Sequence, residues 1–110
     1  MQKEGLAEHL KRYNLGAPRA ATSKELERAF AVTGKELRQL VNRLRREGVP
    51  IASDGSGYYY AATEQEVRAT IAHLTRRISG IAAAIHGLNR SLELFDKAQV
   101  RLPLEGGDSL

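Results

Sequence analysis

Apolar and polar positions alternate along this chain with a period that shifts repeatedly, and each shift marks an element. Leu6, Leu10 and Tyr13 recur at helical spacing among Lys, Glu and His, which predicts a first amphipathic helix from Gln2 to about Tyr13, ended by Gly16-Ala17-Pro18. Thr22-Ser23-Lys24-Glu25 has capping-box spacing, in which the Thr22 hydroxyl and the Glu25 carboxylate satisfy each other's exposed backbone donors. A short second helix follows to about Ala31 and buries Leu26 and Phe30. After a tight turn at Ala31-Val32-Thr33, Thr33-Gly34-Lys35-Glu36 repeats the capping chemistry. Leu37, Leu40, Val41 and Leu44 then fall at i, i+3, i+4 and i+7, the apolar stripe of a third helix. Gly48 closes that helix and Pro50 prevents its continuation.

The period then drops to two. Ile51-Ala52-Ser53 and Tyr58-Tyr59-Tyr60 flank Asp54-Gly55-Ser56-Gly57, which predicts a two-strand hairpin. Tyr59 should face one way, with Tyr58 and Tyr60 facing the other. One face packs under the helices, and the other either presents a phenol outward or buries it as a support.

The last pattern is a heptad. Thr63 and Glu66 form a third capping-box pair. Beyond them Ile71, Ile78, Ile85 and Leu92 occupy one seam position, and Val67, Leu74, Ile81, Leu88 and Phe95 the other. Sustained to about Lys97, this predicts a helix of roughly 50 Å. A domain of about 60 residues cannot cover so long a stripe, so the helix is expected to pair with its copy, forming a homodimer or small oligomer. Ala82, Ala83 and Ala84 make the face broad and smooth at its centre, as close packing, antiparallel pairing or a bundle would require. Gly80 and Gly87 interrupt the helix propensity, and a break at Gly87 that folds the helix back on its own domain is the alternative. The tail RLPLEGGDSL breaks the repeat and is expected to be flexible. The expected organisation is therefore mainly α with a small β-hairpin: a globular domain over residues 1–62, an oligomerisation helix over 63–98 and a tail over 99–110.

Charge sharpens this picture through its placement. Net charge is +4, and within residues 34–48 Lys35, Arg38, Arg43, Arg45 and Arg46 face only Glu36 and Glu47, so three of the four excess charges sit on the third helix. A basic helix face of this kind is the electrostatic footprint of a nucleic-acid binder. The chain has no Cys, which removes disulfides and thiolate ligands, and His9, His73 and His86 share no ligand spacing, so neither a metal site nor a cofactor is expected. No nucleophile with an adjacent base, paired carboxylates or phosphate loop argues for an enzyme. No apolar run reaches bilayer length and no targeting pattern is present, which makes a bacterial cytoplasm or nucleoid the expected setting, with no membrane partner and no evident small-molecule ligand.

The stretch TSKELERAFAVTGKELRQLVNRLRREGVPIASDGSGYYYA resembles the winged helix-turn-helix superfamily, especially the biotin-operon-repressor type of N-terminal domain. The resemblance covers residues 1 to about 62 and implies a DNA-binding regulator of bacterial or phage type. It implies that the third helix enters the major groove of double-stranded DNA, with Lys35, Arg38, Gln39 and Asn42 as base readers. Ser23, Thr33, Arg43, Arg45 and Arg46 would then meet phosphates. Ser53, Asp54, Gly55, Ser56, Gly57 and Tyr58 would form the wing, where Asp54 is poorly suited to a phosphate. A homodimeric transcription regulator is the first expectation. An oligomeric packaging or segregation protein of phage or mobile-element type is the second, and a protein-binding winged helix the third.

Overall fold

A computed structural model describes residues 3–98. Gln2, where the first helix was expected to begin, and the tail expected to be flexible lie outside the described residues. The chain is mainly helical with one antiparallel hairpin and a long C-terminal helix. It divides into two compact units, Met1–His73 and Leu74–Leu110.

In the first unit, helix α1 (Lys3–Tyr13) is followed by a single 3-10 turn, Ala17–Arg19, which the sequence pattern did not predict. Helix α2 (Ser23–Phe30) and helix α3 (Gly34–Arg46) follow, both started by complete capping boxes. Thr22 Oγ1 accepts from the Glu25 amide at 3.1 Å while Glu25 Oε1 accepts from the Thr22 amide at 2.8 Å, and Thr33 and Glu36 repeat the same distances. Between the helices Ala31 adopts a left-handed conformation, φ 54°, which turns the chain within three residues. At the end of α3 the Gly48 amide donates to Arg45 O and the Val49 amide to Leu44 O, the paired bonds of a Schellman motif, with Gly48 at φ +90°.

Leu6, Leu10, Leu26, Leu37, Val41, Leu44 and Ile51 form the core, and Phe30 and Leu40 pack at its edge. Tyr13 departs from the expected stripe. It is 57% exposed and stacks instead against His9, whose ring centroid lies 5.0 Å away. Tyr13 is the last residue of α1, and its ring lies beside His9 rather than in the core.

Strands β1 (Ile51–Asp54) and β2 (Gly57–Tyr60) pair Ile51 with Tyr60, Ala52 with Tyr59 and Ser53 with Tyr58. Ile51, Tyr58 and Tyr60 pack with the core of the three helices. Ala52 and Tyr59 point the other way, yet both are buried. Their cover is the start of helix α4 (Glu64–Ala98), where Thr70, the one buried polar residue among those described, accepts a hydrogen bond from the Ser53 amide at 3.3 Å. The hairpin is thus enclosed on both faces. Its second edge is also occupied: Ala21 and Tyr58 exchange backbone bonds of 2.8 Å, and Tyr60 O accepts from Gly16 at 2.9 Å. Gly57, at φ +136°, lies where a β-carbon would approach Ala21 O to 2.1 Å, so only glycine allows this strand to close on the α1–α2 link.

The third capping box forms only by half. Glu66 N donates to Thr63 Oγ1 at 3.2 Å, but the carboxylate accepts from Ala62 N at 2.7 Å and from Ala17 N at 2.9 Å. Glu66 therefore ties α4 to the 3-10 turn, because that turn offers an unpaired amide within reach. Helix α4 runs without interruption through Gly80 and Gly87, so the break considered at Gly87 does not occur. No helix among the described residues is long and apolar enough to cross a membrane.

Candidate nucleic-acid interface

Helix α3 divides cleanly. Leu37, Val41 and Leu44 are buried, while Lys35, Arg38, Gln39, Asn42, Arg43 and Arg46 are exposed. The same 3.6-residue period that seats the apolar stripe lines up Lys35, Gln39, Asn42 and Arg46 along the outer side, with Arg38 and Arg43 on its flanks.

The carboxylates of the two capping boxes and of Glu27 bond neutral donors, not the cations of this face. Glu25 and Glu36 accept from cap amides, and Glu27 accepts from the Ser23 hydroxyl at 2.8 Å. Among the described residues, Lys35, Arg38, Arg43 and Arg46 enter no ion pair. Four cations held on one rigid helix and left to solvent can meet a polyanion with little reorganisation.

Arg45 is different. Its Nε donates to Ile51 O at 2.8 Å and its Nη2 to Ser53 Oγ at 3.1 Å, in a partly buried setting. Arg45, expected to meet a phosphate, is turned to the hairpin by these two bonds. The side chains expected to meet phosphates are thus not one set. Arg43 and Arg46 point outward, Thr33 caps α3 and Ser23 bonds Glu27.

The hairpin tip presents little that would hold a phosphate. Asp54 Oδ1 accepts from the Ser56 hydroxyl at 2.6 Å and from the Ser56 amide at 2.8 Å. These bonds, the hydroxyl foremost, keep the Asp54 carboxyl below its ordinary value and therefore ionised. Asp54, Gly55 and Ser56 are exposed, while Ser53, Gly57 and Tyr58 are partly covered. An open cleft of about 340 Å³ lies between Thr22-Ser23 at the start of α2 and hairpin residues 53–58. A second hollow of about 200 Å³ brings Val32 and Leu40 beside Gln39 and Arg43. Leu40 closes one side of the apolar stripe, and with Val32 it gives the polar face an apolar border. Val32 sits in the interhelix turn, and nothing in its spacing marks it as surface.

Behind the hairpin, Tyr59 meets the first turns of α4. Burial pushes its phenol above the ordinary tyrosine value, and the Glu66 and Asp54 carboxylates push the same way, against the Thr70 hydroxyl. The hairpin is thus held against α4 on this face rather than projecting as a free arm. Among the described residues no group of three or more His, Cys, Asp or Glu could hold a metal ion. Comparison with protein-family models, with curated proteins and with solved structures gives no significant match to this chain.

Proposed function

We propose that the protein is a sequence-specific DNA-binding transcription regulator of the winged helix-turn-helix type, acting as a homodimer with α3 in the major groove. The observation that carries this reading is the unpaired, exposed basic face of α3, seated on a helix that is capped at both ends. Lys35, Arg38 and Gln39 lie in the N-terminal half of the helix, the part that meets base edges in helix-turn-helix proteins, and Asn42 follows them on the same face. Arg suits guanine and Gln or Asn suits adenine, each good pair discriminating by about 1–3 kcal/mol. Arg43 and Arg46 then serve phosphates and Arg45 supports the hairpin, which braces α3 more than it grips DNA. Two copies would address half-sites about 34–36 Å apart, or a multiple of that.

Selection of bound sequences from a random DNA pool tests specificity, followed by gel shift of the selected site. Wild type shifts it, and an Arg38→Ala, Asn42→Ala double variant binds at least about 10-fold more weakly. Equal binding by both proteins, or no binding to any DNA at low salt, refutes the proposal. The latter result favours a protein-binding module.

The exposed apolar seam of α4 also supports a second reading, an oligomeric DNA-packaging or segregation protein. Light scattering separates the two, since a dimer fits the regulator and a large assembly fits the alternative.

A further inference from the structure

Helix α4 carries Ile71, Ile78, Ile81, Ile85, Leu88, Leu92 and Phe95 at 55–68% exposure, on the two seam positions of one heptad. We propose that this seam pairs with a second copy of itself in antiparallel orientation, about a two-fold axis at Ala83. The proposal rests on the self-association part of the functional reading and is independent of DNA binding.

The first argument is where the open seam begins. Toward the start of α4 the chain covers its own helix. Val67 is half-buried, and Thr70, which flanks the seam, is buried beneath β1 with the Ser53 amide bonded to its hydroxyl. A parallel partner in register would bring its own residues 64–70 and its own hairpin to this level, beside a seam that is already occupied. An antiparallel partner brings the C-terminal end of its α4 to this level in place of a second hairpin.

The second argument is register. Ile71 and Phe95 lie twelve residues either side of Ala83, so an antiparallel overlay about Ala83 maps the open seam onto itself. Ile71 then meets Phe95 of the second copy, Ile78 meets Leu88, Ile81 meets Ile85 and Leu92 meets the half-buried Leu74, with no exposed seam residue left over. A slip of one heptad strands the residues at both ends. At the centre Ala82 faces Ala82 of the second copy and Ala84 faces Ala84, so the narrowest parts of both helices coincide and their axes can approach closely.

The third argument is area. Covering a mostly exposed aliphatic or aromatic side chain removes about 100 Å², which gives about 700 Å² per copy and about 1,400 Å² for the pair, the size of a standard stable interface.

The chain has no Cys, so introduced thiols report geometry without background. Ala82→Cys and Ala84→Cys should each give a disulfide-linked dimer on mild oxidation of the full chain. Ile78→Cys and Leu88→Cys should give little alone and a covalent heterodimer when mixed. Light scattering on the wild type gives the mass in parallel. A dimeric mass with self-linking at Ile78→Cys and Ile85→Cys, and none in the mixture, identifies parallel pairing and overturns this proposal alone. A monomeric mass without cross-links overturns both the pairing and the dimeric reading.

Discussion

A β-carbon at position 57 would lie 2.1 Å from the carbonyl oxygen of Ala21, and φ +136° is a backbone that L-residues rarely adopt. Gly57→Ala is therefore expected to destabilise the first unit by about 2–3 kcal/mol or more, measured by urea unfolding, since either the hairpin or the α1–α2 link must yield. Glu66 gives a different kind of residue-level prediction. Its carboxyl is held below the ordinary value of 4.5, first by the Ala17 amide and then by the Ala62 amide. A carboxylate whose folded pKa is depressed contributes stability above its unfolded value, and that contribution is lost as pH falls through the folded one. Glu66→Gln should accordingly melt below wild type at neutral pH, with the difference shrinking as pH falls below the ordinary carboxylate value. A difference that persists undiminished at acid pH would show that packing, not charge, holds the contact. The two positions differ in how readable they were. Glu66 looked like a local cap because it stands three residues after Thr63, and nothing near it in sequence points to Ala17.

Among the elements, α3 performs two tasks with adjacent arginines. Arg46 is exposed, whereas Arg45 bonds Ile51 and Ser53. Arg46→Ala is expected to leave the melting temperature nearly unchanged while lowering the salt dependence of DNA binding by about one counterion. Arg45→Ala should do the reverse, costing about 1–3 kcal/mol of stability and leaving the salt slope alone. The reverse pairing of effects would reject the division of labour argued above. Helices α2 and α3 were legible because their signals are local: Thr22 with Glu25, Thr33 with Glu36, and a stripe at one spacing. The hairpin was legible for the same reason, through Gly and Asp between β-forming residues. Its second edge at Ala21 and its cover at Thr70 were not, since each joins residues far apart in sequence and neither Ala nor Thr announces a partner. The exposed face of α3 could be read from periodicity. The role of Arg45 could not, because it depends on where the hairpin docks.

For the molecule as a whole, core and seam differ in what they depend on. Few side chains form the core of the first unit, whereas the apolar residues of α4 from Ile78 to Phe95 lie largely in solvent in a single copy. An Ile78→Asp, Ile85→Asp double variant is expected to be monomeric by light scattering. It should retain the unfolding transition of the first unit and lose about 100-fold or more in affinity for a paired DNA site, because two linked contacts become one. Dimeric mass in this variant would show that other residues hold the copies together. The bond from the Ser53 amide to Thr70 opens another way to watch the protein. That proton can exchange with solvent only when β1 parts from α4, so the deuterium uptake of a single amide would time the release of the hairpin from the helix, with or without DNA present.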